Sequence, residues 1–253
     1  MSARKPLIAG NWKMFGRRAD LAEMTALAER IGPASAAIDV LICPTAPYIA
    51  AAAQTARITP ILVGAQDCSP VADDAARTGE VSAAMLAETG AGYVIVGHSE
   101  RRQFHGESNE LVRKKAEAAM AAGLIPIVCV GETRAERDAG RATAVVAAQV
   151  AESVPDKGSN LVVAYEPVWA IGGDRIPTVP EIEEIHSVVR RTLAERFGAA
   201  ADGIRILYGG SVSPKNATEV FSAAGVDGAL VGRASLKAAD FAGIILAHPA
   251  AVR

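Results

Sequence analysis

The sequence predicts an α/β fold, a single (β/α)8 barrel over residues 1–253. Eight short apolar, mostly β-branched runs recur at 7–10, 39–43, 61–65, 93–97, 125–130, 161–164, 204–208 and 228–231. They are continuous rather than alternating, which suits strands of a parallel sheet buried on both faces. Longer Ala-, Glu- and Arg-rich segments of helical spacing lie between them, and no low-complexity tract or Pro/Ser-rich linker interrupts the repetition. Periodicity does not separate a closed barrel from an open doubly wound sheet of eight strands. Closure is the preferred reading, and the motifs must decide it.

Taken in order, the runs end in polar residues where the βα loops of a barrel would build a site. The first ends in Gly10-Asn11-Trp12-Lys13-Met14. An amide and an ammonium there suit polarising a carbonyl and neutralising an anion, although an isolated Asn-x-Lys is more often just a loop. The second, third and fifth runs carry Cys43, Cys68 nearby, and Cys129. An odd count without close pairing reads as reduced thiols rather than a zinc site or redox pair.

The fourth run ends in Val96-Gly97-His98-Ser99-Glu100-Arg101-Arg102. An imidazole ahead of a helix start has its pKa lowered by the helix dipole, stays neutral, and can donate to a carbonyl oxygen. Capping or packing of the helix start is the competing reading for His98. His105, His186 and His248 lack this setting and are assigned to surface or packing.

The sixth run leads into Ala164-Tyr165-Glu166-Pro167-Val168-Trp169-Ala170-Ile171-Gly172-Gly173-Asp174. A carboxylate at the end of an apolar strand is partly desolvated, which raises its pKa toward the range of a general base. Pairing of Glu166 with an arginine and ordinary packing of Trp169 and Ile171 stand beside that reading. Next comes the plainest helix, with Thr178-x-x-Glu181 as a capping box, Pro180 in the first turn, and Ile182, Ile185, Val189 and Leu193 on one face. The last two runs open Tyr208-Gly209-Gly210-Ser211-Val212 and Val231-Gly232-Arg233-Ala234-Ser235-Leu236, where backbone N–H groups and a helix start can converge on a phosphate.

Composition narrows the partners. Net charge is −2, so no global positive field is available for nucleic acid or an anionic membrane. No stretch approaches the roughly 20 apolar residues of a membrane span. The basic start, Met1 to Lys5, is followed by an apolar segment too short for a signal peptide. A cytoplasmic protein is expected.

In this order, these motifs resemble the triosephosphate isomerase family over essentially the whole chain. The resemblance implies a closed TIM barrel, no metal or organic cofactor, and interconversion of two phosphorylated trioses by proton transfer. It implies Glu166 as base and His98 as neutral electrophile. Lys13 would supply charge, Asn11 would orient substrate, and Glu100 would support Lys13 and His98. Gly172, Ser211, Gly232 and Arg233 match phosphate-loop positions. It also implies a homodimer, in which Thr78 of a loop after Gly64-Ala65-Gln66-Asp67 enters the partner and buttresses its Asn11 and His98.

Several positions depart from the family pattern. Gly173 and Asp174 stand where the lid usually reads Thr-Gly, and Pro177 has no N–H for a closing partner such as Tyr208. Asp174 adds a carboxylate near a dianion, which Arg175 could offset. Arg233 replaces a second glycine, and Ala75-Ala76-Arg77 replaces Gly-Ala-aromatic before Thr78. These changes bear on rate, affinity and dimer strength. Two rivals remain: a relative isomerising another phosphorylated ketose, distinguished by turnover of four-carbon sugar phosphates, and a non-catalytic phosphate-binding scaffold, against which Lys13, His98 and Glu166 argue.

Overall fold

The computed structural model describes residues 4–171 and 175–252. Eight strands run parallel: β1 (Leu7–Asn11), β2 (Asp39–Cys43), β3 (Ile61–Ala65), β4 (Tyr93–Val96), β5 (Ile125–Val130), β6 (Val162–Tyr165), β7 (Arg205–Tyr208) and β8 (Gly228–Val231). Each pairs with the next, and β8 pairs with β1, with Leu7 opposite both Asp39 and Gly228. The open-sheet alternative is therefore excluded. Where the predicted runs miss, they miss at their ends. Gly97 lies at φ +66, outside the β region, so β4 stops at Val96, whereas Asn11 still pairs with Cys43 and extends β1.

The apolar runs divide by parity into two cores, which is why they show no alternation. Leu7, Ala9, Leu41, Ile95, Cys129 and Leu230 are among those that fill the barrel, while Ile8, Val40, Val94, Val128, Val163 and Ile206 pack under the helices. Helix Val179–Phe197 shows the second layer most clearly. Its Thr178 N–H donates to Glu181 at 2.8 Å, closing the start, and Ile182, Ile185, Val189 and Leu193 are all buried. Truncating one such side chain to alanine would cost about 2–5 kcal/mol. Phe221 and its neighbours extend the same layer, and no helix among the described residues is long and apolar enough to cross a membrane.

The two mouths of the barrel differ. At the N-terminal end, charges neutralise one another: Arg205 bonds Asp39 and the Tyr93 hydroxyl at 2.8 and 2.9 Å, and Arg4 pairs with Asp227. The C-terminal end holds Asn11 as the last residue of β1, and Lys13, His98, Glu166 and Gly232 just past β1, β4, β6 and β8.

Candidate active site

Glu166 follows β6 directly, and its N–H continues the ladder to the Val130 carbonyl at 2.7 Å. Its side chain is buried at the mouth, and glycine is required beside it, because a Cβ at Gly209 would lie 2.9 Å from Glu166 Cγ. The carboxylate accepts from the Ser99 N–H (2.9 Å), the Ser99 hydroxyl (3.1 Å) and His98 Nε2 (2.9 Å). Ser99 opens helix Ser99–His105, so the carboxylate also sits against a positive helix end.

His98 is the cap of that same helix. Its Nδ1 accepts the Glu100 N–H at 3.2 Å, which leaves Nε2 to carry the ring proton and point at Glu166. His98 therefore does cap its helix, and the cap places the ring proton of the neutral tautomer on Nε2, turned toward Glu166. An imidazolium would turn an N–H toward an N–H.

Both expected titration shifts are corrected in this arrangement. Burial pushes the Glu166 carboxyl up, but His98 and the two Ser99 donations outweigh it, leaving the carboxyl below the ordinary range. Burial pulls His98 down, yet the adjacent Glu166 carboxylate outweighs that and raises it. The strand-end argument counted desolvation and missed the hydrogen-bond donors facing the carboxylate.

Lys13 is, among the described residues, the one non-glycine at positive φ, +52. That conformation costs roughly 1–2 kcal/mol. Its N–H donates to Asn11 Oδ1 at 2.9 Å, its carbonyl accepts from Gln66 Nε2 at 2.8 Å, and its ammonium meets Glu100 Oε1 at 2.6 Å. Asn11 thus serves the Lys13 backbone as well as facing the mouth, and Glu100 links Lys13 to the His98 helix.

The last loops also reach this mouth. A Cβ at Gly232 would lie 3.4 Å from Lys13 Cε, so the loop after β8 lies along the lysine stem. Trp12 Nε1 donates to the Ser235 carbonyl at 3.1 Å, tying the same two loops. The Arg233 guanidinium rests 5.8 Å from the Phe15 ring centre. Ser211 lies after β7, and its hydroxyl donates to the Ala170 carbonyl at 2.9 Å, joining the seventh loop to the stem of the sixth.

Gly172, Gly173 and Asp174 lie outside the described residues. Arg175 pairs with Glu181 at 2.5 Å and stacks on Trp169 at 5.0 Å. Pro177 is buried, and the Tyr208 hydroxyl is buried without a partner among the described residues. Cys43, Cys68 and Cys129 are all free and buried, with thiols pushed up by burial. His186 is buried in packing, its pKa lowered to about 4 by burial, and His105 is exposed.

Sequence reasoning missed Ser99, Gln66 and Glu132. Glu132 follows β5 and collects Tyr165 OH (3.1 Å), Trp169 Nε1 (2.7 Å) and Arg137 (2.9 Å), anchoring the stem of the sixth loop. It sits after an apolar run just as Glu166 does, so the same signal marked it. A cleft of about 860 Å³ begins at Asn11, Lys13 and His98 and runs past Gln66 to Phe104 and Glu107. Among the described residues no group of three or more His, Cys, Asp or Glu is placed to hold a metal ion.

Residues 6–248 match the family model described as Triosephosphate isomerase. The chain is 56% identical over 247 residues to triosephosphate isomerase of Afipia carboxidovorans, covering 97% of this chain and 98% of that one. It is 54% identical to that of Xanthobacter flavus over 243 residues, covering 95% and 96%. Among solved structures, triosephosphate isomerase from Bartonella henselae superposes with a TM-score of 0.89 at 43% identity, over 96% of this chain and 98% of that one.

Proposed function

The chain belongs to the triosephosphate isomerase family and interconverts dihydroxyacetone phosphate and D-glyceraldehyde 3-phosphate, and from that premise we propose that Glu166 moves the proton between carbons while neutral His98 serves the oxygens. The observation that carries this reading is the 2.9 Å contact of Glu166 with His98 Nε2, on a ring whose Nδ1 is occupied as an acceptor. A base and an electrophile with a fixed tautomer meet at the end of the barrel where the loops converge.

In the reaction, Glu166 leaves Ser99 and takes a proton from the carbon beside the carbonyl. The C–H electron pair becomes the carbon–carbon double bond of an enediolate, and the carbonyl pair moves onto oxygen. His98 Nε2–H and the Lys13 ammonium stabilise that charge, the enediolate's proton shifts between its two oxygens through His98, and Glu166 returns its proton to the other carbon. Asn11 orients the substrate and Glu100 holds Lys13 and the His98 cap. Ser211, Gly232 and Arg233 hold the phosphate through backbone N–H groups, and Gly172, which lies outside the described residues, is assigned to the same phosphate site. No electrons leave the substrate, so the step needs no redox cofactor. Turnover in D2O should place deuterium on the product carbon, and Glu166→Gln should abolish both exchange and turnover. Exchange that persists in that variant overturns the assignment of the base.

The protein works in the cytoplasm as a homodimer in this reading, over one barrel spanning residues 1–253. Met14 and Phe104 are 91% and 71% exposed around the cleft beside Lys13 and His98, an apolar rim suited to a second copy. The exposed loop 72–80, which carries Thr78, is the segment that would enter it.

A further inference from the structure

The strained backbone of Lys13 is gripped by a residue outside the assigned constellation. Gln66 follows β3, and both hydrogens of its side-chain amide are spent on backbone carbonyls: Lys13 at 2.8 Å and Cys43 at 2.9 Å. Two acceptors facing one atom identify it as the amide nitrogen. The Cys43 carbonyl ends β2 and also accepts the Trp12 N–H at 3.1 Å, so it is a fixed point of the barrel. Gln66 therefore fastens the carbonyl of a left-handed residue to the rigid end of the neighbouring strand. Asn11 holds the N–H of the same residue, and Glu100 holds its ammonium.

We infer that Gln66 is a positioning residue for the reaction, acting through the backbone of Lys13 to set where its ammonium stands. Without that amide, Asn11 still holds the Lys13 N–H but the carbonyl loses its side-chain donor, so the backbone can relax out of the positive-φ region and shift the ammonium against Glu100. A methionine at 66 keeps the length and removes both donors. A glutamate turns two acceptors toward two carbonyl oxygens and does more damage than methionine. An asparagine keeps the amide but is one methylene short of reaching both carbonyls.

The inference rests on the role of Lys13 given above, and a double-mutant cycle separates the two. Gln66→Met should lower kcat/KM on the order of 10-fold, with Gln66→Glu lower still and Gln66→Asn between methionine and the wild type. In a Lys13→Ala background, Gln66→Met should change kcat/KM less than about 2-fold, because its effect has no other route. An equal factor in both backgrounds overturns the inference, as does wild-type activity of Gln66→Met. If Lys13→Ala alone keeps wild-type activity, the role of Lys13 itself fails instead. Should Gln66→Met not fold, the same cycle run with Gln66→Asn decides the matter by the same criterion.

Discussion

Shortening Glu166 to aspartate tests the base most directly. The backbone at 166 is pinned, since its N–H is bonded to Val130 at 2.7 Å and Pro167 follows it. The lost methylene therefore withdraws the carboxylate by about 1.5 Å rather than being absorbed by the chain. The 2.9 Å contact with His98 then exceeds hydrogen-bond reach, and so does the reach toward a substrate carbon. A displacement of about 1 Å costs on the order of 10²-fold, which corresponds to about 2.7 kcal/mol in the barrier. A coupled assay of glyceraldehyde 3-phosphate isomerisation should show that loss in kcat, with KM within about 2-fold of wild type. A melting curve should confirm a folded variant. Near-wild-type kcat, or a loss confined to KM, would refute the assignment of Glu166 as base.

Ser99→Ala removes one of the donations that hold the Glu166 carboxyl below the ordinary range. Because activity requires the carboxylate, the acid limb of kcat/KM should move to higher pH, and an unmoved limb means the hydroxyl does not govern the base. Arg233→Ala should raise KM up to about 5-fold at low salt, from about 1 kcal/mol between unit charges some 4 Å apart in water, and the gap should close as salt rises. Equal KM at both salt concentrations removes that side chain from the phosphate site. Light scattering across a dilution series should show a dimer that loses activity as it separates, and a fully active monomer contradicts the role of Thr78.

The barrel was legible because burial on both faces leaves a signature in single strands, namely apolar runs without alternation. Closure left no such mark. It depends on Leu7 pairing with Gly228 across the whole sequence, so the eightfold repetition only favoured it and the resemblance implied it. Catalytic residue types at strand ends were equally readable, since Asn11, Lys13, His98 and Glu166 each follow a run. Their charge states were not. Ser99 stands between His98 and Glu100, yet a serine at a helix start looks like routine capping, so its donation to Glu166 across 67 positions stayed hidden. Gln66 gave no signal for the same reason: its work is done on the backbone of Lys13, 53 residues away.

The distribution of these contacts explains why this site needs a closed sheet. Lys13 follows β1 and Gly232 follows β8, and they lie beside one another only because those strands are neighbours. In an open sheet numbered in this order they would stand at opposite edges. Closure also lets one residue serve two demands. His98 satisfies an N–H at the start of its own helix through Nδ1 and thereby turns Nε2–H toward Glu166 at the mouth. Ser99 beside it donates its N–H and hydroxyl to the Glu166 carboxylate. The hydrogen bonds that finish a helix end are the same ones that fix the protons of the site, so a substitution made only to improve that cap would alter its chemistry. His98→Asn makes the point testable: asparagine is an equal or better cap, so the fold should keep its melting temperature while turnover collapses. A large loss of stability with proportionate activity in the remaining folded protein would show that capping was the whole of the histidine's role.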